Sequence, residues 1–182
     1  MTVQSTLNQL CVYLGGPYDT QRRIYTNVPS APLVAGLYTV RRAWAKQDDH
    51  AMYTYGANPH PLSGAMMIVQ VPNGMEQRVA VAGATSGLKK VAHAVDLHTY
   101  IRSEEPYAEE SQDYGFALKD AIFARLRADR TCGSGGLEAG GFQIGEGGAP
   151  WFRWAMGQAK TSAGLTKVYL RIECEAHEYI QA

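Results

Sequence analysis

The run Val91-Ala92-His93-Ala94-Val95-Asp96-Leu97-His98-Thr99-Tyr100-Ile101-Arg102 decides the fold. Val91, His93, Val95, Leu97, Thr99 and Ile101 alternate with Ala92, Ala94, Asp96, His98, Tyr100 and Arg102. A period of two sends successive side chains to opposite faces, so this is a strand in a sheet with one face more buried. The period then changes. Tyr107, Ser111, Tyr114, Leu118, Ile122 and Leu126 recur at steps of three and four, with Ala121 beside them, which is one face of a helix. Ser103-Glu104-Glu105-Pro106 has the chemistry of a helix start: a serine cap, acids in the first turn and an early proline. The helix is expected to run from there to about Asp129. Its acids come early (Glu104, Glu105, Glu109, Glu110, Asp113) and its bases late (Lys119, Arg125, Arg127, Arg130). That order complements the helix dipole, at about 0.3 kcal/mol or a little more per charge.

Upstream, Val3, Leu7, Leu10, Cys11 and Leu14 make a second helical face, which Gly15-Gly16-Pro17 stops. Residues 17–32 hold three prolines and read as a loop or extended arm, and Leu33–Trp44 reads as a strand. Residues 46–64 read as a loop excursion. Ala65–Val71 and Glu76–Ala82 read as the two strands of a hairpin, because Pro72-Asn73-Gly74 is a turn signal. Downstream, residues 131–150 carry eight glycines and read as an exposed loop with a short strand over Gly141–Ile144. Lys167–His177 is the last strand. Val168, Leu170, Ile172, Cys174 and Ala176 share one face; Tyr169, Arg171, Glu173, Glu175 and His177 share the other, which is wet or an interface. Few helices and mostly hairpin-type connections give an α+β fold: one domain over residues 1–182, with an antiparallel or mixed sheet and both helices on one face.

With 182 residues and 46% apolar side chains, the chain can build a single core. The 17 basic and 17 acidic residues cancel, which argues against a free nucleic-acid binder, since that would carry a basic excess. Charged residues are only 19% and tyrosines (11) outnumber phenylalanines (4), a composition that suits a surface partly covered by other subunits. The longest apolar runs, such as Ala65–Val69, are far below the roughly 18–20 residues of a membrane span. Met-Thr-Val-Gln-Ser at the N-terminus lacks the basic start and apolar stretch of a signal peptide, so a soluble protein made in the cytosol is expected. Cys11, Cys132 and Cys174 lack metal-type spacing and read as reduced thiols, the first and last buried and Cys132 in a loop.

The sequence carries no recognisable catalytic, cofactor or metal motif. Gly157-Gln158-Ala159-Lys160-Thr161 has Lys-Thr but alanine where a phosphate loop needs glycine. The glycines of 133–148 follow a helix rather than a strand, and no Gly-x-Ser-x-Gly occurs. His93 and His98 lie five apart on one strand and point to opposite faces, so they cannot share a metal. Asp48-Asp49-His50 could ligate a metal, but adjacent residues rarely converge on one ion, and capping a loop is the plainer reading. Asp96 and His98, two apart, do share a face and could serve a small hydrolase, although no nucleophile accompanies them. Pro150-Trp151-Phe152-Arg153-Trp154 suits a core plug and an interface anchor equally well. The basic pairs Arg22-Arg23 and Lys89-Lys90 are solvated charge or a local patch for phosphate.

The strand Val91–Arg102 and the helix after it carry a family resemblance. Leu118-Lys119-Asp120-Ala121-Ile122 leading to Ala124-Arg125-Leu126-Arg127-Ala128-Asp129 resembles the "DAI…RLRAD" stretch of phage tail terminator proteins from phages of actinobacteria. The element order over residues 88–182 and the helix Val3–Leu14 fit as well; the 46–64 excursion is longer than a compact member carries. The resemblance implies a structural virion protein without enzymatic activity or cofactor. Such proteins form a ring, usually a hexamer, at the head-proximal end of the tail. The ring ends tail-tube polymerisation and joins the tail to the neck. Its partners would be further copies of itself, the tail-tube protein, a head–tail stopper and the tape-measure protein, with genomic DNA as passing cargo and no membrane. A closed ring needs two different complementary patches on each subunit. Trp151, Phe152, Arg153, Trp154, Arg125, Arg127, Glu109 and Glu110 are the interface candidates. Arg22, Arg23, Lys89 and Lys90 are the candidates to face DNA in the lumen. The alternatives are another neck component (stopper or adaptor), a tail-tube subunit or, from a different class, the small hydrolase.

Overall fold

The alternation at residues 91–102 builds the middle of the sheet. The structure is a computed structural model, and it describes residues 3–27, 31–44, 63–81, 87–104, 107–137, 140–145, 152–162 and 164–181. Among these residues two helices, α1 (Val3–Gly15) and α2 (Ala108–Ala128), accompany nine strands. The strands are β1 (Tyr18–Asp19), β2 (Ile24–Thr26), β3 (Leu37–Arg41), β4 (Gly64–Val81), β5 (Gly87–Ser103), β6 (Phe142–Ile144), β7 (Arg153–Met156), β8 (Lys160–Ser162) and β9 (Leu165–Gln181). They form one sheet in the order β1-β2-β3-β4-β5-β9-β6, with β7 and β8 also on β9. Only β3 and β4 run parallel, so the fold is α+β with a mixed sheet.

The odd-numbered face of β5 is the core. Val95, Leu97 and Ile101 cluster with Met67 and Val69 of β4 and Leu170 and Ile172 of β9. Leu10 and Leu14 of α1 and Leu118, Ile122 and Leu126 of α2 join the same cluster, so both helices cover this face. Fully burying each such side chain contributes about 1.5–3 kcal/mol. The helices also touch each other. The Tyr13 hydroxyl donates to the Arg125 carbonyl at 2.7 Å, and the Arg125 guanidinium lies 4.0 Å from the Tyr13 ring centroid.

Several sequence expectations are corrected. Residues 17–32 include a small hairpin, β1–β2, and the 33–44 strand is only Leu37–Arg41. Ser103 does not cap α2: it pairs with Thr166 as the last residue of β5, and the helix starts at Ala108 behind Tyr107, which makes no side-chain cap bond. The ladder to β9 outcompetes the capping chemistry there. Cys132 lies in the turn after α2, as expected, but its side chain does not face solvent. It is fully buried in the core, like Leu10 and Leu14, and burial raises its thiol pKa. Cys11 and Cys174 are buried as expected, each pushed up to about 12 by burial. β7 and β8 are additional strands; both are short and largely exposed, without an apolar alternation to announce them.

The largest correction concerns residues 65–82. As far as Val81 they are not a hairpin but one strand, β4, paired with β5 from Gly64↔Arg102 to Val81↔Gly87. Pro72 falls within a bulge between Gln70 and Asn73, where the interrupted ladder tolerates a missing N–H. Gly74 lies opposite His93, and a Cβ there would come within 3.0 Å of His93 Nδ1. The turn-like Pro-Asn-Gly composition therefore serves a bulge and a close approach. β3 covers only Ala65–Ile68 of β4. Beyond that, β4, β5 and β9 continue as an arm past the helices, and residues 72–79 of β4 are exposed along an edge with no partner strand among the described residues.

Gly15 closes α1 against β3. A Cβ there would sit 2.6 Å from Val40 Cβ. Replacing a helical glycine by alanine ordinarily stabilises by about 1 kcal/mol. Here the expected outcome of Gly15→Ala is a loss of about 1–3 kcal/mol in urea denaturation, because overpacking outweighs propensity.

Candidate functional site

The even-numbered face of β5 turns away from the helices, and its chemistry is arranged in rows across the strands. Register places Arg102 beside Lys167, Tyr100 beside Tyr169, His98 beside Arg171 and Asp96 beside Glu173. On the other side Met66 and Ile68 of β4 lie beside Tyr100 and His98. Those two apolar side chains are buried although they lie outside the helix-covered core, so this face is dry at its centre. Trp44 follows β3 and lies against the face, 4.8 Å from His98 and 6.2 Å from Tyr100 between ring centroids.

Asp96 and His98 come together as their spacing on one face predicts. His98 Nε2 lies 3.8 Å from Asp96 Oδ2, beyond hydrogen-bond range. The site also holds two partners from β9 that local spacing does not reveal. Tyr169 bonds His98 Nδ1 through its hydroxyl at 2.5 Å, and Arg171 donates to Asp96 at 2.9 Å while also pairing with Glu173 at 2.9 Å. A neutral His98 with its proton on Nε2, toward Asp96, accepts the Tyr169 hydroxyl proton at Nδ1; this tautomer fits both contacts. Burial holds the His98 imidazole below the usual histidine value; Asp96 opposes that and Arg171 adds to it. Burial raises the Tyr169 hydroxyl, which keeps it protonated at neutral pH. The constellation is a fixed hydrogen-bonded row. Asp96 is held by Arg171 and His98 by Tyr169, and no group of three metal-binding side chains occurs among the described residues.

The interface candidates separate into three places. Glu109 and Glu110 are exposed in the first turn of α2, while Arg125 and Arg127 occupy its last turn. Arg125 is engaged within the subunit on Tyr13, and Arg130 donates to the carbonyls of Ile144 and Gly145. Arg127 stays exposed, near the rings of Phe123 and Phe152. Phe152 stacks on Phe123 at 4.7 Å and is a plug beside α2 rather than an exposed anchor. Arg153 and Trp154 lie on β7; Trp154 is 46% exposed, with Lys119 4.8 Å from its ring and Phe116 edge-on. Trp151 lies outside the described residues, as do Asp48, Asp49, His50 and most of the 46–64 excursion.

The lumen candidates are not brought together. Arg22 and Arg23 sit in the β1–β2 turn, where Arg22 pairs with Asp19 at 2.9 Å. Lys89 and Lys90 sit on the arm, Lys89 paired with Glu76 at 2.9 Å and Lys90 6.0 Å from the Tyr179 ring centroid. A buried pair, His93 Nε2 with Glu178 Oε1 at 2.8 Å, holds β5 to β9 within the arm.

The depressed His98 value has a sign. In the unfolded chain the ring titrates near 6.5, and in the folded one it titrates lower. Between the two the unfolded state binds more protons, so stability is full above about pH 6.5 and is lost as pH falls toward the folded value. Thermal melting from about pH 7 down to about pH 5 is expected to show a smaller drop in melting temperature for His98→Gln than for the parent. An identical drop would assign the acid sensitivity elsewhere.

Comparison with family models and with curated proteins finds no match for this chain.

Proposed function

We propose that the protein is a ring-forming structural subunit of a phage tail, a terminator that caps the tail tube at its head-proximal end. The observation that supports this most is a pair of unlike edges on opposite sides of one sheet, as seen among the described residues. On one side, residues 72–79 of β4 are exposed past β3, with Met75 64% and Val79 53% exposed. On the other side β9 is bordered by β6, β7 and β8, and β7 carries exposed Arg153 and Trp154. An exposed edge with apolar side chains is a template for a further strand. Two different edges on one subunit permit head-to-tail contacts, which close into a ring when the rotation allows.

The charges at the two ends of α2 contribute less to this contact than their spacing implies, because Arg125 is turned inward. The sequence motif at residues 118–129 adds the terminator identity, and with it the expected neighbours: the tube subunit below, the neck above, and DNA passing through. Residence in the virion follows from the same reading.

The same edges would suit a tail-tube subunit, and assembly behaviour separates the two. Multi-angle light scattering of the purified protein is expected to give a monomer or a small closed ring, and mixing with tail-tube subunit to give tubes of arrested length. Met75→Lys with Val79→Lys is expected to abolish ring formation and capping while leaving the monomer folded. Unlimited growth of the protein alone would identify a tube subunit; a monomer that leaves tube length unchanged would overturn the reading.

A further inference from the structure

The row Arg102–Lys167–Lys160 lies across β5, β9 and β8 on the face away from the helices. Lys160 and Lys167 are directly opposed in an antiparallel pair, an arrangement that is destabilising for like charges. Both are exposed, and among the described residues neither has a carboxylate partner. The next row is aromatic: Tyr100 beside Tyr169, ring centroids 5.2 Å apart. Trp44, 50% exposed, continues the strip past Tyr100. Between these rows and the β7–β8 connection lies a groove of about 490 Å³. Its lining includes Tyr100, Arg102, Lys160, Lys167 and Tyr169, and no carboxylate.

We propose that this groove binds single-stranded nucleic acid, with phosphates at Lys160 and Lys167 and an unstacked base against the tilted Tyr100–Tyr169 ring pair, whose planes meet at 46°. A cationic track beside half-buried tyrosine rings that line the groove suits a single strand, because bases stack on rings while lysines neutralise the backbone. A paired duplex would use the lysines but would leave the tyrosines idle, since its bases are already stacked. The ring pair is pre-ordered: the Tyr169 hydroxyl is tied to His98, which fixes that ring before a ligand arrives. Burial raises both tyrosine hydroxyls, so both rings are neutral at physiological pH and do not repel phosphate. The like-charge pair is then a functional cost, relieved when an anion bridges it. This inference does not depend on ring assembly.

Fluorescence anisotropy with a labelled oligothymidylate of about 12 nucleotides, at about 50 mM salt and upward, tests it. Saturable binding is expected, tighter than to a duplex of equal length or to polyglutamate. Lys160→Gln with Lys167→Gln should lower the slope of log affinity against log salt by about 1.4, from about 0.7 per phosphate contact on a single strand. The same double variant should melt no lower than the parent, since it removes a repulsion. Tyr100→Ala should weaken binding about tenfold, and Tyr100→Phe should restore it. No binding, an unchanged salt slope in the lysine variant, or equal or tighter binding of the duplex or of polyglutamate would overturn the proposal.

Discussion

The length of three paired strands is the constraint on which the rest of the molecule depends. β4, β5 and β9 are 18, 17 and 17 residues long, and β5 is paired on both sides along nearly its whole length. Such a strand spans about 56 Å at roughly 3.3 Å per residue. The helices that cover it are shorter; α2, with its 21 residues, spans about 32 Å at 1.5 Å per residue. The core therefore occupies one end of the sheet, and the other end must stand as an arm. The arm's helix-side face turns polar: Glu76 pairs with Lys89, and His93 with Glu178. The buried His93–Glu178 pair satisfies its charge within the sheet, as burial requires.

The same mismatch produces the surfaces that the functional reading uses. β3 stops at Arg41, opposite Ile68, so among the described residues the β4 edge lies bare along the arm, while three short strands finish the β9 side. A sheet with two unlike edges is suited to joining copies of itself in one direction. The face away from the helices has a separate logic. Its centre is sealed by Met66 and Ile68, its row at His98 is locked by Tyr169 and Arg171, and its end carries opposed lysines beside tyrosines.

What was legible in the sequence was local. The alternation at 91–102 and the period at 107–126 identified the central strand and the long helix, since each pattern lies within one element. Asp96 and His98 were readable as neighbours because i and i+2 share a strand face. Their partners Tyr169 and Arg171 are more than 70 residues distant, and only the β5–β9 register brings them there. The errors came where local chemistry had two uses. Pro72-Asn73-Gly74 suits a turn, but here it makes a bulge and leaves room for His93. Ser103 and Glu104 suit a cap, but pairing with β9 carries the strand through Ser103. The strands β7 and β8 have no apolar alternation, so nothing distinguished them from loop. The opposed lysines were invisible for the same reason.

Hydrogen exchange measured on β4 as protein concentration is raised through the assembly range tests the central claim most directly. At an edge, alternate amides point to solvent and exchange quickly; a strand added by a neighbouring subunit protects them. The account predicts that amides within residues 72–79 gain protection on assembly together with those of β7, while α2 is unchanged. Assembly that leaves the β4 edge exchanging as fast as in the monomer would contradict it.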